Sequence, residues 1–303
     1  MKTQIVPHLT KLARAYRNTT LIGLQVAPVC PVELQEFTYP IFDKSNLLDA
    51  ETEKAPKAAT AKASQAFTTA TGKTRQHAFA HEIDEEARRN DQVGAVNRAP
   101  AAAMDVILLR HERKVADLVF GAANYPAANK VTLAGTSQWS HADSDPALAV
   151  LNASSVVQGL TGRDPNVLVI GYEVFNTLKV HPKIRNYLPQ DVIGTVDEPI
   201  LAKVFGVSKV VVGKAIKSNP QGTTSRCWGK FASLLCVNEG MGSEGSLHLQ
   251  DPTFAKTFRL AGFPVVDHWY VDDTEVDYYR AKDNYAVQVV HSESGFLFSA
   301  AIA

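Results

Sequence analysis

The chain has 303 residues, 45% of them hydrophobic, with 31 basic and 31 acidic side chains and a formal net charge of zero. A chain of this length buries roughly 75% of its unfolded surface and has room for one or two compact domains. Charge balance argues against a dedicated nucleic-acid module, whose phosphate contacts require a basic surplus. No apolar run approaches the ~18 residues of a membrane span.

The N-terminus, MKTQIVPHLTKLARAYRNTT, lacks the apolar run of about 7–15 residues that marks a signal peptide. Residues 1–48 are punctuated by Pro7, Pro28, Pro31 and Pro40, which favours extended, irregular chain. Their apolar pieces, LIGLQVAPV and FTYPIF, are too numerous for a solvated tail, so the segment needs a surface to lie on.

Residues 51–83 are rich in Ala, Thr and Lys and poor in large aliphatics. Stretches with strand character flank Gly72 and predict a long hairpin, which is marginal in water by itself. An arm and a hairpin in tandem, neither with a core, predict packing against neighbouring chains.

Met104, Ile107, Leu108, His111, Val115, Leu118 and Val119 recur at three and four and predict a helix over 98–121. Pro100 falls in its first turn, Gly121 ends it, and His111 on its apolar face reads as a packing residue. Asp145 caps a helix that begins at Pro146 and runs to about Gly162. A buried strand, NVLVI, reaches Gly171, and a helix follows over 172–180. Asp197 caps EPILAKVF, a further strand covers VSKVVVGKA, and the remainder is β-rich. Strands are predicted at 231–237, 264–270, 275–280, 285–291 and 295–302, with turns at Asp272–Asp273 and at Asp283–Asn284.

Several motifs invite a catalytic reading and fail on context. GMGSEG, residues 240–245, matches G-x-G-x-x-G, but no helix opens at its third glycine to receive a pyrophosphate. TGKT, residues 71–74, lacks the earlier glycine of a P-loop, because Phe67 stands there. His77 and His81 are spaced for zinc on a helix, but a strand holds them apart. Cys30, Cys227 and Cys236 have no C-x-x-C spacing and read as small buried thiols of a reducing compartment. No catalytic, cofactor or metal site is readable, and the chain is not read as an enzyme.

The order of elements is more informative: arm, hairpin, long helix, α/β module, β-rich end. With YPIFDKSNLLD (39–49), HEIDEEARRND (81–91), QWSHADSDP (138–146), GRDPNVLVIGYEVFNTLKVHP (162–182), ILAKVFGVSKVVVGKA (200–215) and CWGKFASLLCV (227–237), it resembles the major capsid proteins of tailed bacteriophages. The resemblance covers nearly the whole chain.

It implies an α+β fold of the Hong Kong 97 type. The implied map is an N-terminal arm (1–50), an extended hairpin loop (51–83), a peripheral domain with a spine helix (84–139), an axial domain (140–250), peripheral strands (251–293) and a C-terminal strand returning to the axial domain (294–303). The implied function is structural. Copies assemble into hexamers and pentamers of an icosahedral head around double-stranded DNA, held by weak, non-specific contact. The implied partners are the chain itself, a separate scaffolding protein, a portal protein and, in some relatives, a decoration protein. The location is the virion, after assembly in the host cytoplasm.

Assembly residues expected on this basis are Gly72 and Lys73 in the hairpin, Asp272 and Asp273 near threefold positions, and Asn219 and Arg226 near the capsomer axis. Some family members crosslink a hairpin lysine to a peripheral asparagine, for which Lys62 or Lys73 with Asn284 are the candidates. Two alternatives stand beside this reading: a nanocompartment (encapsulin-like) shell protein, and a nucleotide-binding α/β enzyme using residues 240–245.

Overall fold

The computed structural model describes residues 4–16, 18–41, 49, 52–54, 56, 59–60, 62, 68–90, 94–187, 196–219, 221–238 and 252–303. The chain opens with strand β1 (Gln4–Ile5), helix α1 (Pro7–Ala15), the single turn α2 (Gly23–Val26) and strand β2 (Val29–Val32). Strands β3 (Glu36–Ile41) and β4 (Thr68–Lys73) pair with each other, and β5 (Arg75–Asp84) continues directly from β4. Helices α3 (Glu85–Arg89) and α4 (Ala95–Val119) follow, then the short strand β6 (Lys130–Thr132). A helix-rich stretch contains α5 (Pro146–Thr161), β7 (Val167–Gly171), α6 (Tyr172–Val180), α7 (Pro182–Asn186), α8 (Glu198–Phe205) and β8 (Lys209–Gly213). The small hairpin β9 (Ile216–Ser218) and β10 (Thr224–Arg226) precedes β11 (Ala232–Leu235). Four strands close the chain: β12 (Ala255–Leu260), β13 (Val265–Val271), β14 (Val276–Val289) and β15 (Gly295–Ser299).

Two sheets organise these elements. The first is ordered β1-β13-β14-β12-β2, with β5 also paired to β14. Residue pairing shows how 14-residue β14 acts as its axis: Tyr285 faces Arg75 of β5 on one side and Arg259 of β12 on the other. Strands β12 and β13 take the same edge of β14 in succession, and β5 runs along the opposite edge for ten residues. The second sheet is ordered β6-β15-β11-β7-β8, with β7 and β8 parallel across the α6–α8 crossover.

Helix α4 joins the two. Met104, Ile107 and Leu108 pack against Val266, Tyr279, Ala281 and Tyr285 of the first sheet. Two turns later Val115, Ala116 and Val119 pack against Val167, Val169, Leu235 and Leu297 of the second. Each large aliphatic buried in this way contributes about 1.5–3 kcal/mol. The other face of the second sheet is covered by α5, α6 and α8 through Val150, Val157, Phe175, Leu178, Leu201 and Phe205.

Several expectations hold. Helix α5 starts at Pro146, the Leu148 N–H donates to Asp145 Oδ1 at 3.0 Å, and Gly162 ends the helix in the left-handed region (φ 68°). Others are corrected. Helix α4 begins at Ala95, with Gly94 before it (φ 73°), so Pro100 lies in the second turn. No turn occurs at Asp283–Asn284: β14 runs through both, and both are buried. Strand β12 was not predicted. The N-terminal segment, expected as irregular chain lying on a surface, does lie on one but carries a helix of its own. Leu9 and Ala13 of α1 are buried on the first sheet, and β2 extends that sheet in parallel with β12. Nor does a hairpin reverse at Gly72, because β4 pairs back to β3 and β5 pairs instead with β14.

Candidate functional site

The residues singled out from sequence lie at three separate places. Gly72 sits within β4 opposite Phe37, where a Cβ would come within 2.5 Å of the Phe37 ring. Glycine there lets the ring lie across the paired strands and meet Phe258 in a tilted contact at 4.5 Å, with Tyr39 on the same ring at 4.9 Å. Aromatic contacts of this kind add about 0.5–1.5 kcal/mol each beyond area burial and fasten the base of the β3–β4 pair to β12. Lys73 Nζ lies 2.6 Å from Glu36 Oε1, and both side chains are exposed.

Asp272 and Asp273 form the exposed turn between β13 and β14. Asn219 shapes the β9–β10 turn, its Oδ1 accepting the Thr223 N–H at 2.8 Å. Arg226 lies 3.4 Å from Glu173, with its guanidinium 4.5 Å from the centre of the Tyr172 ring. These places do not converge on one pocket.

Asn284 does not fit a crosslinking role. It is 1% exposed, inside β14 and opposite Gln76, out of reach of a lysine from another chain. Residues 240–245 lie outside the described residues.

The first sheet holds an unusual set of buried acids that sequence reading missed. Asp267 receives hydrogen bonds from Arg280 Nε at 3.0 Å and Nη2 at 2.5 Å, with Lys282 Nζ at 2.6 Å. Asp277 is held by His268 at 2.5 Å and Arg88 at 2.6 Å. Burial pushes both carboxyls up, but these hydrogen bonds and charges outweigh it and hold both below the ordinary range. Asp283 differs: burial dominates and raises it, although Arg259 Nη2 lies 3.0 Å away. Alternation along β14 was the available signal, because it places Asp277, Tyr279, Ala281, Asp283 and Tyr285 on one face.

A fourth buried carboxylate lies where α4 leaves the first sheet. Glu112 is 1% exposed and accepts the Ile22 N–H at 3.0 Å, the Gly23 N–H at 2.5 Å and the Trp228 indole N–H at 2.6 Å. Burial raises its pKa against the pull of these three donors. One residue thus ties the N-terminal segment, the long helix and the flank of the second sheet together.

A serine–histidine pair was also missed. Ser144 Oγ lies 3.1 Å from His181 Nε2, but both residues are buried and His181 Nδ1 has no partner among the described residues. Without an acid to orient the imidazole, the pair lacks the arrangement of an activated nucleophile. The Ser144 hydroxyl instead donates to the His141 carbonyl at 2.8 Å.

The two sheets bridged by α4 define a class of fold already seen in a crystal structure. A phage-related protein from Bordetella bronchiseptica RB50 matches with a TM-score of 0.81 at 24% identity, covering 99% of this chain and 98% of that one. Sequence carries the relationship further. The chain is 30% identical to the major capsid protein of Burkholderia phage BcepMu, over 98% of this chain and 97% of that protein. It is also 30% identical to the major capsid protein of Pseudomonas phage JBD67, over 85% and 82% respectively. A family model described as phage capsid protein matches residues 68–292. The chain belongs to the phage capsid protein family, and its role is that of a structural shell subunit.

Proposed function

We propose that this chain is the major capsid subunit of a tailed phage, with the Hong Kong 97 type of organisation, and that copies assemble into hexamers and pentamers of an icosahedral head around double-stranded DNA. The observation that carries this reading is the near end-to-end 30% identity to a phage major capsid protein. The same identity favours a capsid over a nanocompartment, since a fold likeness alone does not separate the two.

On this reading the first sheet and α4 form the peripheral domain, with α4 as its spine. The second sheet with α5–α8 forms most of the axial domain, and β15 returns to it. The β3–β4 pair is the base of the extended loop, which therefore begins near Glu36 and not at residue 51. The loop reaches an adjacent subunit, the Asp272–Asp273 turn faces neighbours near threefold positions, and Asn219 and Arg226 face the capsomer axis. Several modest contacts with different neighbours then act together through effective concentration. A separate scaffolding protein, a portal and, in some heads, a decoration protein complete the set of partners. With a net charge of zero, contact with packaged DNA is weak and non-specific.

Co-expression with the neighbouring head genes, followed by sedimentation, tests this proposal. The chain is expected in fast-sedimenting particles. Recovery solely as slow monomer, with scaffolding present, overturns it.

A further inference from the structure

The first sheet is electrically polar along its length. At the end where β14 begins, Asp84, Glu86, Asp272, Asp273 and Glu275 are all exposed, and none has an ion-pair partner among the described residues. The local cations do not offset them, because Arg88 is bound to Asp277 and Arg89 to Glu85. Ten residues along β5, roughly 30 Å away at strand rise, the charge reverses. Arg75 and Arg110 have no acidic partner among the described residues, and Lys114 meets a histidine, with its Nζ 2.9 Å from His77 Nε2. Arg110 and Lys114 are one helical turn apart, where like charges repel. The Lys114 ammonium is held below its usual range by burial and by Arg110 and Arg75. His77 is pushed down to about 4 by burial, Lys114 and Arg110, so it is neutral at pH 7.

Arg75 and Lys114 line a groove of about 1080 Å³ between the β3–β4 base, the last turns of α4 and the end of β14, and Arg110 flanks it one helical turn before Lys114. Tyr285 lines the groove floor and is itself 1% exposed. The lining groups that carry opposite charges are already committed: Lys73 pairs with Glu36, and Asp117 lies 3.7 Å from Arg113. What remains is a concave surface with surplus positive charge.

We propose that this groove receives the acidic β13–β14 turn of a second copy of the chain, so that Asp272, Asp273 and Glu275 of one subunit meet Arg75, Arg110 and Lys114 of another. The contact rests on the shell reading above and specifies what the turn touches. Charge complementarity selects the occupant. Three such turns meeting one another directly would bring nine carboxylates together, whereas turn into groove neutralises both surfaces. The contact is heterologous, joining two different patches, which is the geometry that propagates rings and lattices.

Charge reversal tests the contact. In an assembly reaction with scaffolding, Arg75→Glu with Lys114→Glu, and separately Asp272→Lys with Asp273→Lys, are each expected to raise the critical subunit concentration roughly tenfold or more. The four changes together are expected to recover most of that loss. Carbodiimide crosslinking of wild-type shells built from light and heavy isotope subunits needs no variant. It is expected to join Lys114 to Asp272, Asp273 or Glu275 between chains. Reversal variants that assemble like wild type, a combination that recovers nothing, or shells without that crosslink overturn the inference. So do variants that assemble normally and lose only packaged DNA, which would make the groove a phosphate site. If wild-type chains form no particle with all head proteins present, the shell reading itself fails.

Discussion

Glu112 accepts the indole N–H of Trp228 at 2.6 Å across the boundary between the two sheets. The same carboxylate holds the Ile22 and Gly23 amides, so the geometry of three segments depends on one acid. Glu112→Ala leaves three buried donors without an acceptor, at a cost of about 1–3 kcal/mol per group. A urea titration of the unassembled chain is expected to show a loss of several kcal/mol. Asp117→Ala on the exposed face of the same helix is expected to stay within about 0.5 kcal/mol of wild type.

Gly23 is a steric test of the same joint. A Cβ at this position would come within 2.7 Å of Glu112 Oε2 and 3.2 Å of His111 Nδ1. Gly23→Ala is therefore expected to destabilise by about 1–3 kcal/mol. A melting temperature unchanged from wild type would show that the carboxylate has room to move aside.

The buried acids of the first sheet set a pH dependence. Asp267 and Asp277 are held below their ordinary value of 3.8 by Arg280, Lys282, His268 and Arg88, against burial. A depressed carboxyl contributes stability that is present above its unfolded pKa and lost as pH falls through the folded one. Stability is expected to hold down to about pH 4 and fall below it. In Asp267→Asn the acid limb of a denaturation-versus-pH curve is expected to be shallower.

Gly72 separates loop anchoring from folding. Gly72→Val drives a side chain into the Phe37 ring and lifts the β3–β4 pair off Phe258. Amide exchange over 36–41 and 68–73 is expected to speed up about tenfold or more, while exchange in β14 stays slow. If β14 loses protection equally, the pair is part of the sheet core and not an anchored appendage.

Asn284 is expected to remain unmodified in mature shells. A mass spectrum of digested particles showing an isopeptide between Asn284 and any lysine would require β14 to open.

Elements defined by local chemistry were legible in the sequence. Asp145 ahead of Pro146, the strand reaching Gly171 before α6, and the helix EPILAKVF after Asp197 each announce themselves over a few residues, and each lies where expected. Elements defined by distant partners were not. Asp283 and Asn284 have the composition of a turn, but pairing to β5 on one side and the nearness of Arg259 on the other keep them in a strand. Strand β12 has its parallel partner more than 200 residues away in β2. The hairpin was misplaced for the same reason: Gly72 makes space for Phe37, not for a turn. Of the residues proposed to meet in assembly, Asp272 and Asp273 were legible as an acidic turn. Arg75, Arg110 and Lys114 were not, because only the fold brings the start of β5 beside the end of α4.

Whether copies of this chain build a closed shell is decided by electron microscopy of the product of co-expression with the neighbouring head genes. Closed particles whose surface resolves into rings of six and five subunits are expected. Monomers or small open oligomers, with every head protein present, would contradict the shell reading.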